Sequence, residues 1–195
     1  MKPILVIYAT RTGHTRRIAD HVAGRLRADG FNVELADAAR SPTELSVDNY
    51  SAVMGAASVR LGKHNSAMIR FAKENALRLN LLPSAFISVS LSEAGAEDLT
   101  ASMERRTQAK ADVARMVDKF IQQTGWRPLR VKTVAGALSY TRYNFLVRFA
   151  MKRIAEKAGA STDTSNDYSY TDWKALDEFV DEFARTAVTA GTLVS

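Results

Sequence analysis

The sequence predicts an α/β fold, an open, doubly wound parallel sheet of five strands with helices on both faces. Three observations carry this expectation. The chain opens on an unbroken apolar run, Ile4-Leu5-Val6-Ile7, without the polar alternation of a half-exposed strand. Such a run suits a strand covered on both faces. Short apolar runs then alternate with helical patterns five times, which calls for a parallel sheet with crossover helices. Finally, the first run changes character abruptly at Thr10-Arg11-Thr12-Gly13-His14-Thr15, where a hydroxyl-rich loop leads straight into a helix.

Each element has its own signal. Thr15 to Asp29 reads as the first helix, because Ile18, Val22 and Leu26 recur every four residues beside Ala19 and Ala23, and Gly30 supplies a stop. Asn32 to Ala36 is a short second strand. Ser41-Pro42 marks a loop, and Thr43 to Val47 a short helical turn. Ala52 to Ala57 is a third buried strand that opens into a polar loop, Ser58 to His64. Asn65 or Ser66 can cap the next helix, with Ile69, Phe71 and Ala72 turned inward. Pro83 introduces a fourth strand, Ser84 to Ser90. Leu91 to Gln108 is polar and mixed and reads as a loop leading into a helix. Ala114, Val117, Phe120 and Ile121 give helical spacing from Lys110 to Gln123, and Gly125 ends it. Val131 to Leu138 is the fifth strand. The last helix is expected to start near Thr171 as N-cap, with Asp172 in its first turn and Trp173, Leu176, Val180 and Phe183 along one face.

Composition narrows the chemistry. A chain of 195 residues, 46% hydrophobic and 25% charged, suits one globular domain spanning 1–195. It contains no cysteine, which excludes disulfides, thiolate catalysis and cysteine-ligated metals. Met-Lys-Pro runs directly into the first strand, so no signal peptide is expected, and no apolar run is long enough to span a bilayer. The three histidines, His14, His21 and His64, lie on separate segments without ligand spacing, so no metal site is expected. The net charge of +6 is unevenly placed. Between Trp126 and Ala160 eight basic residues face Glu156 alone, giving +7, and the rest of the chain carries −1. Such a stretch is either a solvated face or the docking patch for an anionic partner. Its cations are interleaved with large aliphatic groups rather than set in an aromatic stacking surface, which argues against nucleic acid.

The Thr10–Thr15 loop combines hydroxyls, Gly13 and a helix N-terminus. Free N–H groups and the helix dipole favour an anion there. The loop lacks both the lysine of a P-loop and the glycine triplet of a dinucleotide fold, which leaves a bound phosphomonoester or a plain N-cap cluster. In an open parallel sheet, ligands bind beyond the carboxyl ends of the strands. The Thr loop, the Ser58–His64 loop and the loop after Ser90 all follow strands and would gather there, one around a phosphate and two around a flat ring.

About thirty residues separate the fifth strand from the last helix, too many for a simple connection. Tyr140, Tyr143, Phe145, Leu146, Val147, Phe149, Met151 and Ile154 are too many large apolar groups for a disordered linker. On a helix, Tyr143, Val147, Ala150, Met151, Ile154 and Ala158 share a face, and Asn144, Arg148, Lys152 and Glu156 share the other. That breadth of apolar surface suits core packing, a second subunit in a homo-oligomer, or a membrane interface with cations at the headgroups.

Six blocks carry a resemblance to a known family: T-R-T-G-H-T at 10–15, G-A-A-S-V-R-L-G-K-H at 55–64, L-P-S-A-F-I-S-V at 82–89, W-R-P at 126–128, A-G-A-L-S-Y-T-R-Y at 135–143 and Y-T-D-W at 170–173. Over nearly its full length the chain resembles the flavodoxin-type, menaquinone-dependent protoporphyrinogen IX dehydrogenases of bacterial haem synthesis. The G-A-L-x-Y-x-R-Y block with its basic insert is the specific part, since the Thr loop indicates only a flavodoxin-like fold. The resemblance implies a flavodoxin-like doubly wound five-stranded sheet whose fifth strand is interrupted by a basic amphipathic insert, 140–166, and resumes near Tyr168–Tyr170. It implies FMN as cofactor, oxidation of protoporphyrinogen IX to protoporphyrin IX, and electrons passed to a membrane quinone by a cytoplasmic protein peripheral on the anionic inner face of the cell membrane. A soluble flavodoxin-like electron carrier or an NAD(P)H:quinone reductase is the alternative on the same fold. No catalytic side chain is required, because the flavin carries the chemistry. Thr10, Arg11, Thr12, Gly13, His14 and Thr15 would hold the phosphate. Ser58, Val59, Arg60, Leu61 and Gly62 would flank the isoalloxazine ring, with Val89, Ser90 and Leu91 on its other side. Arg60, Lys63, Arg142 and Arg148 are candidates for the substrate propionates, and each is otherwise a solvated charge.

Overall fold

The computed structural model describes residues 2–40, 45–98, 101–139, 156, 163 and 167–192. Five strands form the parallel sheet: β1 (Ile4–Ala9), β2 (Val33–Asp37), β3 (Ala52–Arg60), β5 (Ser84–Ser90) and β6 (Arg130–Ala135), in the order β2-β1-β3-β5-β6. A short strand, β4 (Lys63–His64), folds back antiparallel on β3. The order reverses direction between β1 and β3, so the crevice at their carboxyl ends is the switch point where such sheets bind ligands.

All six residues of β1 are buried. Ile4, Val6 and Tyr8 pack on one face with Ile18, Val22 and Leu26 of α1 (His14–Ala28) and Leu176, Val180 and Phe183 of α6 (Trp173–Thr192). Leu5, Ile7 and Ala9 pack on the other, against Met68, Phe71 and Ala72 of α2 (Ser66–Glu74), a short α3 (Ala76–Leu79) through Leu79, and Phe120 of α5 (Met103–Thr124). Burial on both sides is why this strand shows no polar alternation, and each fully buried Ile or Leu contributes roughly 1.5–3 kcal/mol. Gly55 of β3 faces Trp126, whose Cη2 would lie 2.9 Å from an added Cβ, so the indole lies on the strand only because that residue has no side chain. Trp126 Nε1–H donates to Ser84 Oγ at 3.0 Å, which fixes the ring.

Five local readings of the sequence are corrected. The polar loop expected at Ser58–His64 is a hairpin: β3 continues to Arg60 and returns at Lys63, with Leu61 (φ 50) and Gly62 (φ 70) as a two-residue turn. Leu61 hid it, because leucine rarely enters the left-handed region that this turn needs at both positions. The segment from Leu91 is helical, not a loop. Ser90 Oγ accepts from Glu93 N–H at the start of α4 (Leu91–Glu97), and Ser102 Oγ accepts from Arg105 N–H at the start of α5, so local caps offset the polar composition. The fifth strand leaves the sheet at Gly136. Beyond it β7 (Ala137–Ser139) pairs antiparallel with β8 (Asp167–Ser169) in a separate two-stranded ribbon, so the strand that returns from the insert does not resume the parallel ladder. Asp172, not Thr171, caps α6, with Oδ1 accepting from Ala175 N–H at 2.9 Å. Of the turn expected at Thr43–Val47, Thr43 and Glu44 lie outside the described residues, Leu45 and Ser46 are not helical, and a single 3-10 turn runs from Val47 to Asn49 instead. Nearly all of 140–166, including the Arg142 and Arg148 candidates, also lies outside the described residues.

Candidate functional site

Three loop segments meet at the switch point. The first is the turn from β1 into α1. Thr10 Oγ1 accepts from Gly13 N–H at 3.0 Å, and Gly13 (φ 92) swings the chain into the helix in a conformation open to glycine. No side chain caps α1 and no acid lies in its first turn. Asn65, Ser90, Ser102 and Asp172 cap α2, α4, α5 and α6. Among the described helices longer than one turn, α1 therefore presents its first N–H groups uncapped, beside the hydroxyls of Thr12 and Thr15. The second segment is the end of β3, where Ser58 Oγ donates to Ala9 O at 3.4 Å and ties β3 to β1. The third is the β5–α4 junction, held by Gly136 N–H donating to Ser90 O at 2.9 Å.

These segments enclose a narrow slot lined by Arg11, Thr12, His14, Thr15, Ser58, Val59, Arg60, Val89, Ser90 and Leu91, all expected at the site. Thr10 and Gly13 shape the loop through their mutual hydrogen bond and are not among the lining residues. Leu61 and Gly62 sit at the hairpin tip outside the slot, with Leu61 76% exposed. Two lining residues were not foreseen, Gly136 and Ala137. The glycine at the end of the fifth strand is their one local signal, and a weak one, since a Cβ on Gly136 would meet Ser90 O at an ordinary contact distance of 3.5 Å.

The electrostatics favour an anion at one end of the slot. Arg11, Arg17 and Arg60 surround the α1 N-terminus or the slot mouth, whereas the histidines do not supply charge. His14 is 6% exposed, and burial, with Arg17 as a second cause, lowers its pKa to about 4. Thr171 Oγ1 donates to Ala135 O at 2.8 Å and so accepts from His14 Nε2–H, also at 2.8 Å. This neutral chain ties α1, β6 and the start of α6 together at the slot floor. His64 is 5% exposed, hydrogen-bonded to Ser88 Oγ at 2.9 Å and packed on Phe86 and Phe120. Burial lowers its pKa to about 4 as well. Among the described residues no group of three or more His, Asp or Glu could hold a metal, and no helix is long and apolar enough to cross a membrane.

This architecture has relatives. Residues 5–165 match the model of the family described as Flavodoxin domain. Over 180 residues the chain is 38% identical to the protein named protoporphyrinogen IX dehydrogenase (quinone) of Escherichia coli K12, covering 92% of this chain and 93% of that one. A protein of the same name from Leishmania major is 35% identical over 182 residues, covering 92% of this chain and 74% of its own length. Among solved structures, oxidised flavodoxin 1 from Bacillus cereus superposes with a TM-score of 0.53 at 16% identity, covering 94% of this chain and 97% of that one. A short-chain flavodoxin associated with a bacterial microcompartment does so at 0.53 and 14% identity, covering 96% and 99%. At those identities the two structures speak to the fold.

Proposed function

The chain belongs to the flavodoxin domain family, and from that premise we propose that it is an FMN-dependent enzyme that oxidises protoporphyrinogen IX to protoporphyrin IX and passes the electrons to a membrane quinone in haem synthesis. The similarity to proteins of that name over 92% of the chain supports the substrate and the acceptor. The cofactor is carried by one observation on the structure: the uncapped, acid-free N-terminus of α1 opens between threonine hydroxyls into a slot walled by Val59, Val89 and Leu91. That donor set fits a phosphomonoester at one end and a flat ring at the other.

Thr12, Thr15 and the first N–H groups of α1 would hold the phosphate, with Arg11 adding charge. Val59 and Leu91 would exclude water from the ring faces, while Ser58, Ser90 and Gly136 set the width of the slot. When bound, the flavin supplies two-electron acceptance. Converting the porphyrinogen to the porphyrin removes six electrons and six protons, which reduces three quinones to three quinols. This chain's residues contribute positioning and desolvation, not a nucleophile. We read 1–195 as one flavodoxin-like domain whose insert, 140–166, docks on the anionic cytoplasmic face of the membrane where the quinone resides.

The phosphate arm is tested by titrating apoprotein with FMN and riboflavin. FMN is expected to bind more tightly, since charge-assisted hydrogen bonds contribute roughly 1.5–3 kcal/mol each. Thr12→Val/Thr15→Val is expected to narrow the difference with the fold intact. Equal affinity for the two flavins in the wild type would remove the phosphate assignment. The activity arm is quinone-dependent oxidation of protoporphyrinogen IX by the FMN-loaded protein, with NADPH as rival donor.

A further inference from the structure

A wider, open cleft of about 920 Å³ adjoins the slot, between the β3–β4 hairpin and α5. Arg11 and Arg60 line both hollows, so the two lie side by side along a shared rim. Lys63 from the hairpin and Lys119 from α5 line only the cleft. Among the described residues no carboxylate lines it and none of these four cations has an ion-pair partner, although Arg25, Arg78 and Arg130 pair with Asp181, Asp48 and Glu182. An anion in this cleft meets positive charge from both the hairpin and α5.

The cleft is not purely polar. Ile69 forms part of its wall, and Leu61 is presented at its rim from a left-handed backbone. That conformation is costly for leucine, and such strain is retained where the surroundings use it. Cations beside apolar walls suit an amphipathic polycarboxylate, and the volume falls within the roughly 300–1,000 Å³ of ligand pockets. Protoporphyrinogen IX has that chemistry, with two propionates on one edge and methyl and vinyl groups on the other.

We propose that this cleft is the porphyrinogen site, with Lys63 and Lys119 taking the two propionates. Because these lysines line the cleft and not the slot, the carboxylate edge lies away from the flavin position. The apolar part of the macrocycle then lies along Leu61 and Ile69 toward the junction marked by Arg11 and Arg60. The ligand's identity rests on the dehydrogenase reading above. The cation-lined cleft does not.

The test uses the FMN-loaded protein titrated with mesoporphyrin IX, a dicarboxylate porphyrin, and with its dimethyl ester, followed by porphyrin fluorescence. The free acid is expected to bind at least tenfold more tightly than the ester, less so at high salt. Lys63→Gln/Lys119→Gln is expected to lose about tenfold for the acid, to bind the ester as before and to keep its flavin stoichiometry and melting temperature. Lys63→Arg/Lys119→Arg is expected to keep acid binding. Equal binding of acid and ester by the wild type, or undiminished acid binding by the Gln variant, overturns the proposal. A failed dehydrogenase reading looks different: the wild type would still prefer the acid and lose that preference in the Gln variant, yet not oxidise protoporphyrinogen IX. That result supports the cleft as a site for tetrapyrrole dicarboxylates.

Discussion

His14 and His64 are imidazoles folded into the uncharged state. Each has a pKa lowered by burial to about 4, against about 6.5 in an unfolded chain. Between those values the unfolded chain binds more protons, so their stabilisation is complete above pH 6.5 and is lost progressively as pH falls toward 4. Each contributes at most about 3 kcal/mol by this route. Urea midpoints are expected to fall from pH 7 to pH 5, and His64→Asn to flatten that slope while lowering the midpoint at pH 7. An equal slope in the variant would remove His64 from the account. At Gly55 the margin is steric: Gly55→Ala puts a methyl group 2.9 Å from Trp126 Cη2 and is expected to cost about 1–3 kcal/mol in urea unfolding, with the denaturant slope unchanged. Residues such as Thr12, Thr15 and Ser90 could be read from the chain because they follow apolar runs directly. Lys119 could not, because its place at the cleft depends on which side of the sheet α5 covers, and nothing local to Lys119 states that.

At the scale of elements, the hairpin shows where local reading stops. A two-residue turn with both φ values positive is ordinarily announced by Asn-Gly, and here Leu61-Gly62 takes that place. Leu61→Asn is therefore expected to stabilise the protein by about 0.5–1 kcal/mol, measured as a higher melting temperature, by relieving left-handed strain. A lower melting temperature would mean that the exposed leucine makes contacts that outweigh the strain. The helices divide in the same way. α1 and α6 were legible from their apolar spacing. α4 and the first turn of α5 depend on the caps Ser90 and Ser102, which stabilise stretches whose periodicity is weak.

At the scale of the whole molecule, strand order places every foreseen loop at one edge of the sheet. Alternating strand and helix patterns made that legible, while the departure of the chain at Gly136 was not, since Ala137-Leu138-Ser139 is as compatible with a continued strand as with a ribbon. The proposed membrane role of 140–166 is tested by joining Ser139 to Asp167 through Asn-Gly. FMN binding is expected to persist, because the described slot-lining residues lie outside the excised segment. Co-sedimentation with anionic liposomes at low salt is expected to vanish, each lost cation removing about 1 kcal/mol of surface attraction. Full-length protein that ignores such liposomes would end the membrane reading.

The ribbon also bears on how such a chain can change over generations. Ser139 and Asp167 are cross-strand partners, and Tyr170 N–H donates to Gly136 O at 3.2 Å just below them. The entry and exit of the intervening segment are thus clasped together by the backbone, whatever sequence lies between. Gly136 and Thr171, at the foot of the clasp, line the slot and anchor His14. The clasp fixes where the chain leaves and rejoins the fold, so exchanging the segment between 140 and 166 is expected to leave both of its anchor points in place, which makes this ribbon a graft point at which the core can acquire a new address or a new partner.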